Sequence, residues 1–201
     1  MNLKNKYYLL LLILLPVFTL CFLKAAVCSA GALDGKKIVM IIAHENYRDE
    51  ELEVPLQMFK KAGVDVAIAS TALTPATGML GGTVTPDMLY SDITVSDYDA
   101  IVFVGGSGAT VYWNDSAAQE IAKKAIEDRK ILAAICFGPV TLANAGVLEG
   151  KKATVSSSEG GKLKAMGVYY TGAGVQVDGD IVTANGPQNA GGFAEAIINL
   201  L

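Results

Sequence analysis

The segment Lys130–Gly146, KILAAICFGPVTLANAG, constrains this chain more than any other. Ile131 to Ile135 is an unbroken apolar run, as expected of a strand buried on both faces of a parallel sheet. Cys136 follows at once, and then Phe137-Gly138-Pro139. Proline has a fixed φ and no N–H to lose, so Pro139 suits the first turn of a helix. Val140 to Ala145 continues that helix, and Gly146 stops it. A strand, a sharp turn with cysteine at its apex and a helix together have the geometry of a nucleophile elbow. A helix N-terminus beside the sulfur favours the thiolate, which is the reactive form. The alternative is a strand-end core cysteine, because cysteine is among the most buried residues.

The 201 residues are enough for one domain with a proper core. A net charge of −4 with no basic stripe gives no reason to expect nucleic acid. Residues 1–32 read as a signal peptide or an N-terminal membrane anchor. Lys4 and Lys6 supply the positive start, Tyr7 to Leu23 carries no charge, and Ser29-Ala30-Gly31-Ala32 offers a cleavage site after Ala30 or Ala32. The apolar run is near the lower limit for a membrane span, so attachment through residues 7–23 competes with cleavage. Lipid attachment at Cys21 or Cys28 is a third reading, although Leu20 and Val27 are larger than a lipoprotein signal normally places there. All three readings put the folded domain outside the cytoplasm: secreted, periplasmic or membrane-anchored. With the segment removed, Cys136 is the only cysteine, and no intramolecular disulfide can form.

Lys37 to Ala43 is the first strand, His44 to Arg48 a loop, and Asp49 to Ala62 a helix with Leu52, Leu56, Phe59 and Ala62 at three- and four-residue steps. Gly63 ends the helix and Val64 to Ser70 is a second strand, which makes a right-handed parallel unit. Thr74 to Ile93, rich in glycine and threonine, reads as a hairpin or small excursion from the main sheet. Ala100 to Val104 is another buried strand. Ser116 to Asp128 is an amphipathic helix, with Ser116 as expected N-cap and Gln119 in the capping-box position. Past the elbow, Lys152 to Ser156 is strand-like and Ser158 to Met166 a short helix. Val168 to Tyr170 is strand-like, as is Val175 to Val177, which turns through Asp178-Gly179-Asp180 into Ile181 to Ala184. Ala190 to Leu201 closes the chain as a helix. The alternation predicts one three-layer α/β domain over residues 36–201, around a mostly parallel sheet. In such sheets the ligand site lies at the carboxyl ends of the strands.

Three loops reach that edge: His44–Glu51, Gly105–Ala109 and Cys136–Pro139. Gly105-Gly106 offers backbone N–H groups that can hold an oxyanion or a carboxylate. No dinucleotide or P-loop fingerprint is present, and neither cofactor nor metal is expected. Glu45, Asp49, Glu50, Glu51 and Glu53 crowd the first loop. Most are expected to form a solvated helix start, with one turned toward the thiol to share or relay its proton.

These residues resemble the PfpI superfamily, which includes PfpI-type intracellular proteases, protein deglycases, glyoxalases and the Parkinsonism-associated deglycase. The marks are the Glu-x-x-x-Pro of Glu51 to Pro55 in EELEVPLQMFKKAG, VGGSGA at Val104–Ala109, AAICFGP at Ala133–Pro139 and NGP at Asn185–Pro187. The resemblance implies a class I glutamine amidotransferase-like version of the flavodoxin-type sheet. It implies Cys136 as nucleophile and Glu51 as the acid hydrogen-bonded to the sulfur. Gly105, Gly106 and the N–H of Phe137 become the oxyanion region. It also implies a homodimer or a higher homo-oligomer. The protease-like members carry histidine directly after the cysteine, where this chain has Phe137. The deglycase-like members often carry one near the start of the following strand, where the nearest match is Ser156. The only histidine is His44, in the first strand's loop and a further candidate for the same edge.

The expected function is therefore an exported cysteine-dependent enzyme acting on small carbonyl or amide substrates, of glyoxalase, deglycase or hydrolase type. Two other readings stand beside it. One is a redox-responsive stress protein whose lone thiol oxidises to a sulfinic acid. The other is a small-ligand-binding domain that lost the chemistry with the histidine.

Overall fold

Apolar side chains that alternate between the two faces of a strand need a layer of helices on each face, and this chain supplies both layers. The computed structural model describes residues 33–201. The expectations for residues 1–32, of a signal, an anchor or lipid attachment at Cys21 or Cys28, lie outside the described residues. In chain order the elements are β1 (Lys37–Ile41), β2 (Glu45–Tyr47), α1 (Asp49–Lys61), β3 (Asp65–Ser70), β4 (Ala76–Gly78), β5 (Thr83–Val84), β6 (Met88–Leu89) and β7 (Ala100–Phe103). There follow α2 (Ser116–Glu127), β8 (Ile131–Ile135), α3 (Pro139–Asn144), β9 (Lys152–Ala153), α4 (Gly160–Ala165), β10 (Tyr169–Tyr170), β11 (Val175–Asp178), β12 (Ile181–Ala184) and α5 (Ala190–Ile198).

The main sheet has seven strands in the order β11-β12-β8-β7-β1-β3-β6. Every neighbouring pair is parallel except the β11–β12 hairpin. The register lines up Ile68, Met40, Val102, Ala133 and Val182 across the five central strands. This row packs with Leu52 and Phe59 of α1 and Phe193 and Ile197 of α5. One residue further along, Ala69, Ile41, Phe103 and Ala134 form the next row. That row packs with Ile121, Ala122 and Ala125 of α2 and Leu142 of α3. Each face thus has its own core. Burying a side chain of this size contributes on the order of 2 kcal/mol, and a one-residue slip of register would send each set to the core packed for the other.

Several local expectations change. His44–Arg48 is not simply a loop: Glu45–Tyr47 forms β2, which pairs with β4 and through it with β5 in a separate three-stranded sheet. The excursion after β3 does contain this hairpin, but Met88–Leu89 returns to the edge of the main sheet beside β3. Ser116 is not the N-cap of α2. Asp115 takes that place, its side chain accepting from the Ala118 N–H at 2.8 Å, and Gln119 instead donates to the Trp113 carbonyl at 2.9 Å. The strand expected over Lys152–Ser156 is only the two-residue β9, paired with β10 outside the main sheet. Among the described residues, no helix is long and apolar enough to cross a membrane.

Glu45, Glu50 and Glu53 keep access to solvent and Glu51 turns inward, as expected, but Asp49 is buried as well. Asp49 is 5% exposed, and its carboxylate accepts from the N–H groups of Leu80 and Gly82, each at 2.8 Å. Glycine at 78 and 82 leaves room for that carboxylate, because a Cβ at either position would collide with it. Asp49 therefore ties the β4–β5 hairpin to the start of α1. Asp49→Ala would orphan both donors, and hydrogen bonds to a charged acceptor contribute roughly 1.5–3 kcal/mol each. We expect it to lower unfolding free energy by about 3 kcal/mol in urea titrations, with Asp49→Asn losing less.

Candidate active site

At Cys136 strand β8 gives way to the elbow. The Cys136 N–H donates to the Ala184 carbonyl at 2.9 Å, and the Cys136 carbonyl accepts from the Ser156 N–H at 3.0 Å. Between those two bonds the residue is held at φ +60°, in the left-handed region. For a residue with a Cβ this conformation costs on the order of 1–2 kcal/mol. The Gly138 N–H closes the turn onto the Ile135 carbonyl at 2.9 Å, and Pro139 opens the six-residue α3.

Strand β7 ends beside it. A Cβ on Gly105 would meet the Glu51 carboxylate, the Cys136 Cβ and the Ile135 carbonyl oxygen, so only glycine fits between acid and thiol. Gly106 has φ +99°, and a Cβ there would strike the Asn46 carbonyl and the Arg48 nitrogen. The Arg48 N–H donates to the Gly105 carbonyl at 3.1 Å. The backbone around β2 therefore lies directly on this glycine pair, at the carboxyl ends of β1, β7 and β8.

Glu51 is the third residue of α1 and has no exposed surface. Pro55, one turn later, lacks the N–H that would close the helical bond to the Glu51 carbonyl. Neither carboxyl oxygen of Glu51 has a hydrogen-bond partner of full geometry. Burial pushes this carboxyl up to about 7, against the opposing pull of the Cys136 thiol, the Arg48 guanidinium and the Gly105 N–H. At the thiol, the pull toward thiolate expected from the elbow is opposed. Burial and the facing Glu51 charge push the thiol up to about 12, while the N–H groups of Gly106 and Phe137 pull the other way. A six-residue helix and two N–H groups do not outweigh desolvation plus a neighbouring carboxylate. The two groups titrate as a pair. Of the expected oxyanion groups, Gly106 and Phe137 act on the sulfur, whereas Gly105 acts on the acid.

The outer wall is aromatic. The Phe137 carbonyl accepts from Trp113 Nε1 at 3.0 Å, and the two rings lie 5.9 Å apart at 53°. Lys162 Nζ sits 4.2 Å over the Trp113 ring and also pairs with Glu159. Ser156 is next to the thiol through its backbone, while its hydroxyl bonds Ser158 at 3.2 Å. His44 is not drawn in: its Nε2 is hydrogen-bonded to Thr74 Oγ1 at 3.3 Å and lies 3.9 Å from Glu45, and its buried Nδ1 has no partner. Among the described residues, no group of three or more His, Cys, Asp or Glu is placed to hold a metal ion. Arg48 and Trp113 were not singled out from the sequence, and Asp49 was expected only among the acids of a solvated helix start. Trp113 carried one usable signal, as the only tryptophan in the chain.

A parallel α/β sheet with a cysteine elbow and a buried facing acid defines a class, and the comparisons narrow it. Residues 36–200 match the model of the DJ-1/PfpI family. The chain belongs to that family. It is 38% identical over 172 residues to protein MJ0967 of Methanocaldococcus jannaschii, covering 84% of each chain. It is 33% identical over 163 residues to the deglycase TK1284 of Thermococcus kodakarensis, covering 81% of this chain and 98% of that one. Among solved structures, the ThiJ/PfpI domain protein of Brachyspira murdochii superposes with a TM-score of 0.80 at 35% identity, over 83% of this chain and 99% of that one.

The raised Glu51 value makes a stability prediction. Between the ordinary 4.5 and about 7, the folded protein keeps a proton that the unfolded chain has released. Stability therefore falls as pH rises through that window and stays reduced above it. At about 1.4 kcal/mol per unit, Glu51→Gln is expected to be more stable than the parent by up to about 3 kcal/mol near pH 8. The difference should vanish near pH 4. Urea unfolding at both pH values measures it.

Proposed function

We propose that this protein is a cysteine-dependent enzyme acting on small carbonyl or amide compounds, of glyoxalase, deglycase or hydrolase type. The observation that carries the reading is a carboxyl with no exposed surface, facing a thiol at a strained elbow. Burying an unpartnered acid is costly, and a value near 7 suits a group that both takes and returns a proton. With a 2-oxoaldehyde, the sulfur forms a bond to the aldehyde carbon as the thiol proton passes to Glu51. The carbonyl π pair moves to oxygen, which receives that proton back, leaving a hemithioacetal. The Gly106 and Phe137 N–H groups are the nearest donors for the developing oxyanion. With no histidine on the cysteine, Glu51 serves as both base and acid. The deglycase name of the Thermococcus relative fits this chemistry.

Export through residues 1–32 belongs to the proposal, and N-terminal sequencing tests it: a mature start near Leu33 supports cleavage, whereas a full-length cytoplasmic chain refutes export. Self-association is measured by sedimentation, where a homo-oligomer is expected.

Alkylation of Cys136, followed by mass spectrometry of its peptide, is expected to accelerate through about pH 7 as Glu51 becomes able to accept the proton. Glu51→Gln should remove that step. A rate that climbs only toward pH 12 and ignores Glu51→Gln would place Cys136 outside any proton relay. Methylglyoxal consumption should fall by roughly a hundredfold or more in Cys136→Ala and in Glu51→Gln. Equal turnover by Cys136→Ala, or ligand binding without turnover in the parent, sinks the enzymatic reading.

A further inference from the structure

We propose that the Phe137 ring is the specificity surface of this site and that it selects substrates carrying a flat apolar group, above all an aromatic ring, beside the reacting carbon. The inference rests on Cys136 as the reacting residue, and its argument is geometric. Phe137 is the next residue in the chain, and its own N–H acts on the sulfur, so the elbow fixes its backbone beside the thiol. The side chain is only partly buried, although an aromatic ring gains by leaving water.

The ring is also braced. Trp113 holds the Phe137 carbonyl through Nε1 at 3.0 Å and lies against its ring. Trp113 is anchored in turn, since its carbonyl accepts from Gln119 at 2.9 Å and from Asn144 at 2.6 Å. The Lys162 ammonium covers the tryptophan ring, so the indole already has a partner there. Phe137 is left as the member of the pair that can meet a ligand. Lys162 is also paired with Glu159, which offsets its charge locally. A rigid, uncharged aromatic surface one residue from a nucleophile recognises an uncharged flat group. An aromatic–aromatic contact is expected to improve binding by roughly tenfold.

Saturation kinetics of Cys136 alkylation test this in the full chain, with the Cys136 peptide quantified by mass spectrometry. The reagents are chloroacetamide and N-benzylchloroacetamide. In both reactions the sulfur forms a C–S bond, chloride leaves with the C–Cl electron pair, and the thiol proton passes to Glu51 or solvent. The benzyl reagent should half-saturate at roughly one-tenth the concentration of its parent. In Phe137→Leu and Phe137→Ala the ratio of the two constants should fall toward one. A ratio near one in the unaltered protein, or a ratio unmoved by both substitutions, overturns the proposal. A second readout needs no chemistry at all. Trp113 is the only tryptophan, so its emission reports on this wall. In Cys136→Ser, N-benzylacetamide should shift that emission at concentrations where N-methylacetamide does not, and equal responses count against the proposal. The two claims separate cleanly: methylglyoxal turnover without benzyl preference removes only the specificity surface, and benzyl binding without turnover removes only the enzyme.

Discussion

Two acidic groups sharing one dry gap cannot both carry charge cheaply, and that constraint organises the carboxyl edge of this sheet. Glu51 and Cys136 face each other where β1, β7 and β8 end, and each is pushed toward its protonated form by burial. The arrangement favours one negative charge across the pair, which is what a proton relay requires. Nothing about it favours stability: the Glu51 oxygens are unpartnered and the Cys136 backbone is strained. The strain persists because ladder bonds to Ala184 and Ser156 clamp the elbow from both sides. Two apolar cores, one on each face of the sheet, hold those strands in register.

The parallel frame was legible because its signals are redundant. β8 is uniformly apolar, Pro139 opens α3 and Gly146 follows its end, so pattern, turn chemistry and helix punctuation agree. Elsewhere the signals were too short or too ambiguous. β2 has three residues and pairs with β4, which is far along the chain, and so short a piece shows no periodicity. Asp115 and Ser116 are adjacent and both cap well, and only the geometry separates them.

The site divides along the same line. The sequence brought Cys136, Glu51, Gly105, Gly106 and Phe137 to one edge, and the fold places them together. It could not show that Asp49 is buried, because a run of acids at a helix start looks the same whether water or a hairpin's N–H groups receive it. Nor could it tell the state of the sulfur. A cysteine before a helix reads as an activated thiolate until the facing carboxylate and the depth of burial are known. His44 had the right residue type in a neighbouring loop, but its hydrogen bond goes to Thr74.

Gly105 carries a further consequence. The gap between acid and sulfur is the width left by an absent Cβ, so no side chain stands there to be lengthened, shortened or rotated. The separation is set by main chain at Gly105 and Cys136, just past the ends of β7 and β8, against the first turn of α1. A distance set this way changes only when main chain moves, so the proton pair keeps its spacing while exposed side chains exchange rotamers around it.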